Sequence, residues 1–157
     1  MLHERKVRKA VRAVIFDEVE EKIAVLEVKN GDYHKIPGGE VENDETNEET
    51  AIREALEEGA CDVQLITKIG EFEFVEPTFP NLVNHSVCFL AKKIKDHKTT
   101  YFTEEEKNDS FKLLWLNIDE AIKLFEDVKS KIPFELIMNN RDLKFIKIAK
   151  NYLPNKN

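Results

Sequence analysis

The sequence predicts an α/β protein folded as an α/β/α sandwich. Three observations lead there. The chain has 157 residues of which 41% are hydrophobic, which suits one packed domain. Apolar residues alternate with polar ones in segments spread through both halves, as strands require. Three helical segments are interleaved with those strands, so both faces of a sheet can be covered. A single domain is expected over residues 1–153, with 154–157 as a frayed tail.

The elements follow in order. KVRKAVRAVIF reads as a first strand and KIAVLEV as a second, joined by the acidic turn DEVEE. KNGDYH is a turn carried by Asn30-Gly31, and KIPGGEVENDE is a loop rich in Gly, Asp and Asn. Thr46 with Glu49 three residues on forms a capping box, so a helix starts there. CDVQLITKIGEFEFVE gives one long strand or two short ones, and NLVNHSVCFLAKKI another. DHKTTYFTEEEKND is a polar, acidic loop, followed by the strand SFKLLWLN. Asn117 or Asp119 caps a helix over EAIKLFEDV, and Pro133 suits the first turn of the last helix, PFELIMNNRDLKFIKIAKNYL.

Bulk chemistry removes several function classes. The formal net charge is −7, so duplex nucleic acid and anionic membranes are repelled rather than attracted. Phosphate compounds remain open as partners if a cation sits between. Cys61 and Cys88 lie far apart and outside metal or redox spacing, and the four histidines never fall at ligand spacing. MLHERKVRKA carries charge without an apolar run behind it, which is unlike a signal peptide, and no segment is long and apolar enough to span a bilayer. The expected location is the cytoplasm, as monomer or homodimer.

One stretch breaks a local rule. ETAIREALEEGA places Glu54, Glu57 and Glu58 in the last two turns of its helix, where the backbone dipole is already negative. The i, i+3, i+4 spacing makes the three carboxylates converge, and positions 58, 61 and 62, one turn on from each, hold Glu, Cys and Asp rather than a base. Ile52, Ala55, Leu56 and Gly59 are expected on the opposite, packed side. Three uncompensated carboxylates suit a hard divalent cation, Mg²⁺ or Mn²⁺. Gly38-Gly39 in the preceding loop lets the backbone come close, so a carbonyl there can join the ion.

The run GGEVENDETNEETAIREALEEGAC resembles the signature of the Nudix hydrolases: Gly, five residues, Glu, seven residues, Arg-Glu, an apolar residue, any residue, Glu-Glu, any residue, Gly, then apolar. Gly39, Glu45, Arg53, Glu54, Ala55, Glu57 and Glu58 match, and Cys61 closes the box. Ala60 stands where the signature has its last glycine, and Gly59 comes one place early, so Gly59 is expected to end the helix in the left-handed conformation. The resemblance implies a Nudix-type sandwich with a mixed, mostly antiparallel sheet. It implies that Glu54, Glu57, Glu58 and the Gly38 carbonyl hold the metal, and that Arg53 pairs with Glu45 behind them to fix the helix. Arg53, Glu54 and Glu57 form the catalytic set, with Glu57 or Glu54 as the base. In some relatives the base lies in a later loop, where this chain has Glu104, Glu105, Glu106 and Asp109.

The implied reaction is metal-dependent hydrolysis of a diphosphate linkage in a nucleoside diphosphate derivative, either ADP-ribose-like or a nucleoside triphosphate, with water attacking phosphorus. The alternative is a catalytically weak Nudix-fold module that binds a nucleotide metabolite. Pro77, 16 positions after Cys61, resembles a proline of the ADP-ribose pyrophosphatase subgroup. Arg12, Tyr33, Phe79 and Glu105 are further substrate-binding candidates. Arg8 and Lys9 share the basic first strand, and Phe72 and Phe74 alternate as core strand residues do.

Overall fold

The computed structural model describes residues 5–154; of the tail expected at 154–157, all but Pro154 lies outside them. The elements are β1 (Lys6–Asp17), β2 (Lys22–Val28), β3 (Tyr33–Lys35), β4 (Gly38–Glu40), α1 (Asn47–Gly59), β5 (Cys61–Val75), β6 (Leu82–Asp96), α2 (Glu104–Asn108), β7 (Lys112–Leu116), α3 (Ile118–Glu126) and α4 (Pro133–Lys150). The sheet runs β3-β2-β1-β6-β5, with β4 also paired to β1 and β7 to β2. Only β1 and β6 pair in parallel, so the sheet is mixed and mostly antiparallel.

Two apolar layers close the sandwich. Val14, Ile23, Val25 and Ile36 meet Phe125 of α3 and Phe145, Ile146 and Ala149 of α4 on one face. Ala13, Ile15 and Ala24 meet Ala55 of α1, with Cys61 and Val63, on the other. Alternation along β1 sends odd and even residues to opposite layers, as a strand buried on both faces demands.

CDVQLITKIGEFEFV forms one continuous strand, bent by register shifts near Val63, Thr67 and Gly70. The loops expected around residues 30–45 and 96–109 contain β3, β4 and α2, elements too short to show a period. Asn117 is the cap of α3, its side chain accepting from Asp119 N.

The end of α1 departs from expectation. The helix runs through Gly59, and Ala60 takes the left-handed conformation at φ 50°, ψ 41°. Gly59 is held for a different reason. A Cβ there would stand 3.1 Å from Ile15 Cδ1 with Cys61 and Pro37 close behind, so the missing side chain lets helix and sheet touch. The box position is therefore an alanine carrying a conformation that costs non-glycine residues about 1 kcal/mol. Ala60→Gly is expected to raise stability by up to about 1 kcal/mol, read as a higher urea midpoint at unchanged slope.

Candidate active site

Helix α1 starts at the expected capping box, Thr46 with Glu49. Its buried side includes Ala55 and Gly59, as expected, but is turned away from Ile52. Ala51, Glu54, Ala55, Glu58 and Gly59 are buried, whereas Ile52 is 45% exposed. The chain has thus turned two of its glutamates inward, against the loop that carries the paired glycines.

Those glycines are required by contact. A Cβ on Gly38 would lie 2.3 Å from Val11 O and 2.7 Å from Arg12 Nε. One on Gly39 would lie 2.5 Å from Glu54 Oε1. Backbone occupies the space at Gly38, so the chain can pass β1 there only without a side chain, whereas at Gly39 the space is filled by the Glu54 carboxylate. Gly38 also donates its N–H to Glu58 Oε1 at 2.8 Å.

Arg53 supplies the compensation that no residue downstream provides. Its Nε and Nη2 fork onto Glu45 at 2.8 and 3.0 Å, and its Nη1 donates to Glu54 at 2.7 Å and Glu57 at 3.2 Å. Nη2 also reaches the Glu40 carbonyl. The expectation that the glutamates stand uncompensated is corrected here: Arg53, which precedes all three on the same helix, pairs with Glu54 and Glu57. The expected pairing of Arg53 with Glu45 is present. Hydrogen bonds from Arg53 and then Thr50 hold the Glu45 carboxyl down at about 2 instead of 4.5. A lowered value means stability that is present above pH 4.5 and lost as pH falls towards 2. Acid titration of stability should therefore be shallower in Glu45→Gln over that window.

Burial acts the other way on the inward pair. It raises the Glu54 carboxyl, with Arg53 and Arg12 opposing and Glu57 adding repulsion. It raises Glu58 well above the ordinary range, helped by a hydrogen bond with Glu106. Glu106 itself feels burial upward, but its hydrogen bonds with Glu58 and Thr103 and the charge of Lys35 bring it below normal. Burial and the Arg12 charge bring Lys35 down to about 8, against the pull of Glu58.

Helix α2 delivers Glu106 because its capping box at Thr103 fixes the turn and Tyr101 N donates to Glu57 O at 2.6 Å. Together these elements border two adjoining hollows. One, of about 480 Å³, has Arg53, Glu54, Glu57 and Glu106 in its wall. The other, about 410 Å³, runs from Gly38, Gly39 and Glu54 across β1 and β6 to Phe74 and the helix α4.

The structure brings Arg12, Tyr33 and Glu105 into the larger group of cleft residues, as expected, along with Arg8. Pro77 and Phe79 do not line it. They sit in the turn between β5 and β6, with Phe79 64% exposed. That placement corrects the expectation for both. Sequence reasoning missed Lys35, Asn84, Ser86, Phe134 and Arg141. The even numbers of Arg8, Arg12, Asn84 and Ser86, all on one face of two paired strands, were the available signal; α4 gave none.

Among the described residues, no three acidic, histidine or cysteine side chains form a ready cage for an ion. The donor set nevertheless fits a hard divalent cation. Glu54, Glu57 and Glu58 are oxygen donors, two of them are buried, and Glu57 and Glu54 raise the affinity for protons of their neighbours by repulsion. A positive charge brought there is stabilised for the same reason that a proton is.

The family profile of the NUDIX domain matches residues 6–135. Among solved structures, this chain resembles the MutT protein from Methanosarcina mazei Go1, at TM-score 0.62 and 20% identity over 98% of this chain and 100% of that one. It also resembles a protein described as an ADP compounds hydrolase, at TM-score 0.66 and 15% identity over 95% of this chain and 74% of that one. A third is a NUDIX hydrolase from Nitrosomonas europaea, at TM-score 0.61 and 17% identity over 96% and 98%. At such identities the likeness speaks for the fold. Comparison with curated proteins gives no match.

Proposed function

This chain belongs to the NUDIX domain family, whose members hydrolyse pyrophosphate bonds, and from that premise we propose that it cleaves the diphosphate linkage of a nucleoside diphosphate derivative. The observation that supports this most is the position of Glu54, Glu57 and Glu58 on one helix, with Glu54 bordering both hollows beside Gly39. An ADP-linked compound and a nucleoside triphosphate are the two substrate classes to compare. The fold is shared with a structure described as an ADP compounds hydrolase and with a MutT protein.

Glu54, Glu57 and Glu58, with the Gly38 carbonyl, would hold Mg²⁺ or Mn²⁺. Once bound, such an ion withdraws charge from phosphoryl oxygens and makes water easier to deprotonate. The chain's own part is positional. Arg53 ties Glu45, Glu54 and Glu57 into one array, so the carboxylates keep their spacing as charge changes around them. Glu54 is the residue we assign as proton acceptor from the attacking water. It reaches both hollows, and its raised proton affinity brings a carboxylate closer to working pH, where general-base transfer is most efficient. Glu57 is less buried and borders only one of the two hollows, which suits cation holding. Arg12, Tyr33 and Glu105 face the substrate from the other side of the cleft. No helix among the described residues is long and apolar enough to cross a membrane.

The test is a substrate screen with Mg²⁺ or Mn²⁺, scoring the nucleoside monophosphate formed from nucleoside triphosphates, ADP-sugars and dinucleotides. Glu57→Gln serves as control. Turnover that survives unchanged in the control, or no turnover of any compound, would leave the binding module as the better reading.

A further inference from the structure

The same cleft contains a buried charge deficit that the glutamate site does not use. Arg12 on β1 and Arg141 on α4 are each 5% exposed, and Asp142 between them is fully buried. Asp142 Oδ1 accepts from Arg141 Nε at 2.8 Å, while Oδ2 accepts from Ile36 N at 3.0 Å and stands 3.8 Å from Arg12 Nε. One carboxylate therefore answers two guanidinium groups. Arg12 also lies within the field of Glu54 and Glu58, but those carboxylates are engaged by Arg53 and Gly38. Arg141 has only Asp142 as a carboxylate partner among the described contacts.

The hydrogen bonds of Arg141 tell the same story. Nε is taken by Asp142 and Nη1 stands 3.4 Å from Ser86 Oγ, whereas Nη2 is buried without a partner. A buried, ionised donor left open is costly, and native folds close such donors with a ligand or a counter-charge. Helices α1 and α4 pack on opposite faces of the sheet, yet Glu54 and Arg141 border one cleft. A guanidinium fork with free N–H groups is the donor geometry that phosphate oxygens match.

We infer that Arg141, with Arg12 and the Ser86 hydroxyl, forms a phosphate-binding subsite distinct from the glutamates. It takes either a phosphoryl group of the substrate or free inorganic phosphate. The inference rests on reading this cleft as the substrate site. It needs no cation and no turnover, so it can fail independently of the hydrolase reading.

Calorimetric titration of the full chain in EDTA supplies the test, with inorganic phosphate, ADP and adenosine as separate probes. Inorganic phosphate is expected to bind and adenosine to give no heat. ADP that competes with phosphate assigns the subsite to the substrate's own phosphoryl group; ADP that does not compete assigns it to free inorganic phosphate. Arg141→Gln should weaken phosphate about tenfold or more, and Glu57→Gln should leave it unchanged. Ser86→Asp places a carboxylate beside Arg141 and guards against a folding defect in the first variant. It should melt no lower than the parent and lose phosphate binding. Unaltered phosphate binding in either cleft variant, no binding by the parent, or a destabilised Ser86→Asp protein overturns the subsite.

Discussion

Asp142→Ala is expected to remove about 3–5 kcal/mol of stability, a large share of what a domain of this size has. The side chain is fully buried and holds three things at once: Arg141, Arg12 and the backbone N–H of Ile36. Its carboxyl feels burial upward, but the two guanidinium charges, Arg141 first, and the hydrogen bonds from Arg141 and from Ile36 N keep it below the ordinary aspartate range. Deleting it strands two buried cations and an amide of the segment that leads into Gly38. Asp142→Asn keeps an acceptor for Ile36 and should lose less. Urea unfolding measures both, and a loss under about 1 kcal/mol for the alanine variant would contradict the buried network.

Glu54→Gln is expected to lower kcat by about 10²–10⁴-fold, the usual worth of a positioned base. Stability should move the other way. Burial raises the Glu54 carboxyl above its ordinary value, so ionisation costs folding free energy as pH rises through the shifted value. A neutral amide of the same shape removes that cost while still accepting from Arg53 Nη1. In EDTA at neutral pH the variant should melt at or above the parent. Added Mg²⁺ should raise the melting temperature of the parent more than that of Glu54→Gln. A variant that melts lower and keeps its turnover would remove Glu54 from the role of base.

The two outcomes separate folding from chemistry because the residues belong to different kinds of pattern. Glu54 sits in a fixed polar spacing along one helix, which a sequence displays directly. Asp142 lies on α4, where apolar and polar residues alternate with little contrast. Nothing in RDLKF distinguishes a buried ion pair from a wet helix face until the helix is laid on the sheet.

Where the sequence misled, a local rule met a tertiary contact. The packed side of α1 was read as Ile52, Ala55, Leu56 and Gly59; Ala55 and Gly59 are buried there, but Ile52 is exposed and Ala51 packs instead, small side chains that allow the helix to lie close to β1. The glycine after Glu58 looked like a helix stop, yet its role is clearance for Ile15, and Ala60 carries the strained turn. Pro77 and Phe79 stood at a suggestive distance from the box, but it is Phe74 and Asn84, on the strands either side of their turn, that line the cleft.

The sequence by itself determined the order of the long strands and helices, the capping box at Thr46, the glutamate spacing with its arginine, and the family. All of these depend on neighbours within a few positions or on one element's period. Only the tertiary structure decided which glutamates are buried, that α2 brings Glu106 to Glu58, and that α4 sets Arg141 in the same cleft as Glu54. Burial, proton affinity and charge balance are sums over groups far apart in the chain, and a one-dimensional pattern carries no distance between them.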